Sequence, residues 1–163
     1  MVCMGNICRS PTAEAVLRAK LQRVGLHGRV VVDSAGTHGF HAGEAPDPRA
    51  IRHGAERGYD LASLRARPVQ EADFSQFHWL LAMDADNLEW LRRKAPDSAS
   101  ARLELLMSQA PRLAAEPYVP DPYYGAPAGF ERVLDLVEDA CDGWVARLSQ
   151  GLATSPKSDG HKA

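Results

Sequence analysis

Apolar residues recur at helical spacing from Pro11 to Val24, at Ala13, Val16, Leu17, Leu21 and Val24. The spacing predicts a helix with one buried stripe. Ser10 is placed as its N-cap, Pro11 as its first helical residue and Gly25 as its stop. Arg29-Val30-Val31-Val32 predicts a short buried strand that ends at Asp33-Ser34-Ala35-Gly36. A connection rich in polar residues, Gly and Pro runs from Thr37 to Pro48, and Arg49 to Arg57 predicts a second helix closed by Gly58. Phe77 to Met83 is a second apolar run of strand length. After it, Leu88 and Leu91 mark a helix that Asp84 or Asp86 can cap and that ends before Pro96. Arg102 to Met107 predicts a third strand. A proline-rich connection covers residues 109 to 128, and loops that long in compact domains are usually functional or disordered. The clearest element is the last helix, where Phe130, Val133, Leu134, Val137, Ala140, Cys141, Trp144, Val145 and Leu148 share one face.

Short apolar strands alternating with amphipathic helices predict an α/β fold with a parallel sheet. Ligands in such folds bind at the carboxyl ends of strands, where loops meet helix N-termini. The chain of 163 residues shows no internal repeat, so one domain is expected over 1–150, followed by a small, polar, flexible tail over 151–163. Hydrophobic residues at 45% and charged residues at 25% exclude disordered and collagen-like chains. With 19 basic and 21 acidic residues the net charge is −2, which argues against a phosphate-backbone binder, so no nucleic-acid partner is expected. No apolar run approaches the about 18 residues of a membrane span, and the N-terminus lacks a signal-peptide core. A cytoplasmic protein without a membrane partner is the expectation.

Three cysteines, Cys3, Cys8 and Cys141, are too few and too odd in number for a disulfide scaffold. Cys3 and Cys8 lack zinc-pair spacing and have no second pair to complete a tetrahedron, so no structural metal is expected. None of the six histidines has a spacing that compels a metal or catalytic role.

The segment from Cys3 to Ser10 lies between an incipient strand at Met1-Val2 and the first helix. Amides of a curled loop can converge on phosphate oxygens, and the helix N-terminus adds favourable partial charge. Gly5 and Asn6 tolerate the positive φ that such a loop requires. Arg9 supplies a planar fork for two oxygens. Cys3 opens the loop, where the field that binds an anion would also stabilise a thiolate, and Ser10 can donate a hydrogen bond to that sulfur. A Walker-type loop is excluded, since its Gly-x-x-x-x-Gly-Lys-Ser/Thr pattern is missing.

Val2-Cys3-Met4-Gly5-Asn6-Ile7-Cys8-Arg9-Ser10-Pro11 resembles the signature of the low-molecular-weight protein tyrosine phosphatases. The resemblance continues through Asp33-Ser34-Ala35-Gly36-Thr37, Pro46-Asp47-Pro48-Arg49-Ala50, Arg65-Ala66-Arg67, Ala82-Met83-Asp84 and Asp121-Pro122-Tyr123-Tyr124-Gly125, spanning roughly residues 2 to 149. It implies a three-layer fold, a four-stranded parallel sheet with helices on both faces. It also implies phosphotyrosine and aryl phosphate hydrolysis through a covalent phosphocysteine, without metal or cofactor, on a phosphotyrosine-containing protein substrate. Cys3 would be the nucleophile, Met4 to Arg9 the phosphate-binding loop, and Asn6, Ser10 and Ser34 its support. As turn chemistry alone, Asp121-Pro122 is only a bend. In the family pattern Asp121 is the general acid, later the base toward water. Tyr123, with Tyr124 adjacent, would wall the cleft, and Phe40 reads either as an ordinary loop hydrophobe or, by resemblance, as the aromatic of the opposite wall. Ile7 occupies a position where phosphoarginine-specific relatives have threonine, which favours phosphotyrosine. Cys8 reads either as small buried filler or, by resemblance, as the partner that traps oxidised Cys3. Cys141 reads as core.

Two departures from the pattern stand out. Only Met1 and Val2 precede Cys3, so the first strand is expected to be truncated and the chain weakly stable or inactive. Where relatives carry a histidine that bonds the loop asparagine, this chain has Leu64, leaving Asn6 to be held by Ser34 or by backbone groups. Two rival activities remain: an arsenate reductase of related fold, which would need further redox cysteines, and a non-catalytic phosphotyrosine-binding module. A monomer or weak dimer is expected.

Overall fold

The computed structural model describes residues 1–154. Four parallel strands, β1 (Val2–Cys3), β2 (Ala35–Gly36), β3 (Trp79–Ala82) and β4 (Arg102–Leu105), form one sheet in the order β2-β1-β3-β4. The helices are α1 (Arg9–Arg23), α2 (Pro48–Glu56), α3 (Asp73–Gln76), α4 (Ala85–Lys94) and α5 (Ala128–Thr154), with a 3-10 turn at Leu106–Gln109. Successive strand residues point to opposite faces. Cys3 and Leu81 join a core with Val16, Leu21, Val137 and Trp144 of α1 and α5, while Val2, Leu80 and Ala82 pack against Phe74, Leu88 and Leu91 of α3 and α4. The three layers expected from the sequence are therefore present.

Several boundaries differ from the sequence reading. The first helix begins at Arg9, with Cys8 in the N-cap position; Ser10 is not the cap, because its hydroxyl is engaged by Cys3 and Asn6. The valine run 30–32 forms no strand. Its would-be neighbour β1 is two residues long, so ladder pairing starts only at Ala35, and Val31 lies 82% exposed. Val24, placed on the buried stripe, is exposed. The short helix α3 was invisible in the pattern because it offers one apolar anchor, Phe74. Residues 151–154 continue α5, and the rest of the expected tail lies outside the described residues. Among the described residues no helix is long and apolar enough to cross a membrane.

The connection after the 3-10 turn is fastened to α5 by buried Asp139, which accepts from the amides of Arg112 (3.0 Å) and Leu113 (2.7 Å) and from Arg112 Nε (2.5 Å). Burial pushes this carboxyl up, but the Arg112 side chain and the two amides outweigh it and hold it below the usual carboxylate range. A lowered folded value means stability that is present above the unfolded value and is lost as pH falls through the folded one. Asp139→Ala is expected to cost about 1–3 kcal/mol at neutral pH, a Tm loss of several degrees. Paired melts of variant and parent should differ fully at neutral pH, begin to draw together below about pH 4, and meet only once pH falls through the lowered folded value.

Candidate active site

The loop from Cys3 to Cys8 leaves the carboxyl end of β1 and curls into the first turn of α1. Asn6 is its pivot, the one non-glycine residue of the described chain with positive φ, at 56°. Such a conformation is costly unless the side chain is held. Asn6 is held at every polar atom: its amide donates to Ser10 Oγ (2.8 Å) and Ser34 Oγ (2.9 Å), and its oxygen accepts from the Arg67 amide (2.9 Å). Ser34 and the Arg67 amide thus hold Asn6, as expected for a chain with Leu64 at that position, and Leu64 packs against the core. Behind Ser34 sits buried Glu14, which accepts its hydroxyl at 2.5 Å and pairs with Arg18; burial pushes the Glu14 carboxyl up despite those partners.

The loop carbonyls face outward onto protein donors: Cys3 O accepts from Thr37 N, Met4 O from His38 N and Ile7 O from Asp47 N. The amide of Asn6 donates to Cys3 Sγ at 3.3 Å. Among the described residues, the amides of Met4, Gly5, Ile7 and Cys8 meet no protein acceptor. Unpartnered loop amides around a sulfur, at the start of a helix, make an anion cradle. Ser10 Oγ lies 3.1 Å from that sulfur. Gly36 closes the floor: a Cβ there would stand 2.7 Å from Met4 O and 2.8 Å from His38 O, so only glycine lets β2 approach so closely.

Arg9 is buried at the bowl's edge and divides its fork. Nη1 donates to Asp84 (2.5 Å) and to the Val119 carbonyl (3.2 Å), and Nη2 donates to Asp121 (2.9 Å). Burial disfavours the guanidinium charge, but Cys3, Asp84 and Asp121 more than compensate and keep its pKa raised. Asp84 is the functional residue that the sequence reading undervalued. It appeared there as a helix cap, and it does cap α4 through the Asn87 amide at 2.8 Å. Its second oxygen fixes Arg9, 75 residues away in sequence.

Asp121 reaches the bowl from the proline-rich connection, its other oxygen accepting from the Tyr123 amide at 3.1 Å. Tyr123 (38% exposed) and Tyr124 (95%) meet edge-to-face at 4.8 Å, and Phe40 (77%) stacks on His38. Exposed aromatic side chains thus stand on the connection after β2 and on the Asp121 loop. Cys8 is buried beside the loop, and burial, then Asp47, pushes its thiol strongly up. Cys141 is fully buried in α5, its thiol pushed up by burial to about 12. His53, Glu56 and Glu131 bring ligand atoms within 4.8 Å of one another, but Glu131 already binds Arg57 at 2.5 Å, which opposes a cation there. A cavity of about 630 Å³ lies at the amino end of β1, between Val30, Trp79 and Trp144, and no phosphate-loop residue lines it.

A thiol at the base of an amide-lined cradle, with a buried arginine on its rim, defines a cysteine-centred oxyanion-binding α/β domain. The sequence matches the family described as low molecular weight phosphotyrosine protein phosphatase over residues 1–154. A low molecular weight protein-tyrosine-phosphatase of Streptomyces coelicolor is 46% identical over 91% of this chain and 92% of its own length. The human low molecular weight phosphotyrosine protein phosphatase is 36% identical, over 90% and 92%. The crystal structure of a protein tyrosine phosphatase from Entamoeba histolytica superposes with a TM-score of 0.87 at 40% identity, covering 93% of this chain and 96% of that one. The chain belongs to the low molecular weight phosphotyrosine protein phosphatase family.

Proposed function

We propose that this chain hydrolyses phosphotyrosine and simple aryl phosphates through a phosphocysteine at Cys3. The observation that carries the reading is the convergence of Arg9 and Asp121 on the mouth of the loop that holds Cys3. The substrate phosphoryl group enters the cradle of amides from Met4 to Arg9, and Arg9 takes two of its oxygens. Asp121, released from the Arg9 fork by the incoming dianion, turns toward the leaving oxygen. Cys3 sulfur forms a bond to phosphorus as the aryl oxygen departs and takes the Asp121 proton. Water then attacks the phosphocysteine, giving a proton to the Asp121 carboxylate, and inorganic phosphate leaves with the thiolate restored. Ser10 stabilises that departing sulfur from 3.1 Å. Aromatic rims suit a phenyl ester and position its ring, and Ile7 at the cradle supports phosphotyrosine over phosphoarginine. A phosphotyrosine-bearing protein is the corresponding physiological substrate class. Cys8, in the same loop and kept protonated by burial, would trap an oxidised Cys3 as a disulfide.

The reductase alternative needs a second reactive thiol in an accessible segment, whereas Cys141 is buried and held protonated. Turnover of p-nitrophenyl phosphate is the test. It should be inhibited by vanadate, unaffected by a chelator, and show a burst of p-nitrophenol before steady state. Phosphopeptide binding without hydrolysis would establish the module reading instead, and thiol-coupled arsenate reduction the reductase.

A further inference from the structure

Between the phosphate loop and the acid loop lies Arg49, in the first turn of α2, a residue the reaction just described does not use. Its guanidinium carbon lies over two rings, 4.8 Å from the centroid of Phe130 and 5.6 Å from that of Tyr123. Nε and Nη2 donate to the two oxygens of Asp47 at 3.0 and 2.8 Å, and Nη2 also donates to the Tyr123 carbonyl at 3.1 Å. Asp47 in turn gives its own amide to Ile7 O at 2.8 Å, inside the phosphate loop. The main chain of Tyr123 is thereby gripped on both sides, its carbonyl by Arg49 and its N–H by Asp121. A continuous path of four hydrogen bonds runs from Ile7 through Asp47, Arg49 and Tyr123 to the Asp121 carboxylate. Among the described residues, Arg49 makes the only hydrogen bond between α2 and Tyr123.

We infer that Arg49 is a positioning residue, which fixes the height and direction of Asp121 over the cradle; the inference rests on the phosphatase reading above. The physical reason is that Asp121 sits on a proline-rich segment with neither helix nor strand from 110 to 127: buried Val119 pins it upstream through Met83 O and Arg9, and Arg49 supplies the hold just downstream, at Tyr123. Proton transfer tolerates small misplacement poorly, so an unanchored carboxyl loses effectiveness although it keeps its chemistry. The fork matters because a single ammonium cannot reach both oxygens of Asp47 and the Tyr123 carbonyl while staying over both rings.

A leaving group that needs no proton is indifferent to Asp121, so the effect must depend on the ester. In Arg49→Met, kcat/KM for unsubstituted phenyl phosphate should fall about tenfold, a fraction of the general-acid effect, while p-nitrophenyl phosphate falls less than about twofold. In an Asp121→Asn background the same substitution should cost less than about twofold on either ester, since the group it positions is gone. Arg49→Lys, which preserves a charge for Asp47 and the cap of α2, should fold normally and still show the steeper dependence on leaving group. An equal loss on both esters, or full additivity with Asp121→Asn, would overturn the positioning role and leave Arg49 a merely structural residue. A parent protein that turns over neither ester would instead defeat the phosphatase reading.

Discussion

Cys3→Ser lowers turnover of aryl phosphates by at least about a thousandfold, the loss expected when the nucleophile that divides a reaction into two steps is replaced by a far weaker one. The exchange is close to isosteric, and the groups that grip an anion, the loop amides and Arg9, are untouched. The variant should therefore still bind inorganic phosphate, seen as a rise in Tm with phosphate concentration. That pairing separates chemistry from binding. A variant that retains even a tenth of parental kcat rules out covalent catalysis at Cys3. A variant that loses phosphate binding along with turnover shows instead that the sulfur shapes the cradle, as its contact with the Asn6 amide at 3.3 Å allows.

Asp121→Asn is the second large effect. Asparagine keeps an oxygen for the Tyr123 amide, so the loop geometry survives, but it has no carboxylic proton to give. We expect kcat/KM on phenyl phosphate to drop by about 10²–10³, in the range of general acid catalysis, with a smaller drop on p-nitrophenyl phosphate. Phosphocysteine hydrolysis should slow as well, because the same carboxylate accepts the proton of water, so a rapid-quench experiment should trap more labelled enzyme than in the parent. Uniform loss across leaving groups would mean that Asp121 acts only through its salt bridge to Arg9 at 2.9 Å.

The phosphate loop was legible in the sequence because its parts are contiguous: the cysteine, the glycine and asparagine of the curl, the arginine and the serine all lie within Cys3 to Ser10. Local chemistry also marked α2, α4 and α5, whose caps or periodicity lie within one stretch of chain. Contacts across the fold were not legible. Nothing local shows that Asp84 would grip Arg9, that Glu14 would stand behind Ser34, or that Arg67 would offer its amide to Asn6, since partners 20 to 75 residues apart are joined only by the sheet. The valines at 30–32 misled because a β-branched run is strand-like by composition, whereas strand formation requires a neighbour of matching length. Ser10 misled for a different reason. Its residue type fits an N-cap, but the sulfur and the asparagine compete for the hydroxyl and win.

The pleat of β1 has a consequence for how this site can change. Val2 and Cys3 point to opposite sides of the sheet, and the pairing of Cys3 with Gly36 decides which side the thiol takes. Adding or deleting a single residue upstream of the loop, with pairing preserved, would send the sulfur into the α3–α4 core and a valine or methionine into the bowl. The aim of the nucleophile is thus quantised by strand geometry: lineages and engineers can shift it only in steps of two, however pliant the loop beyond it.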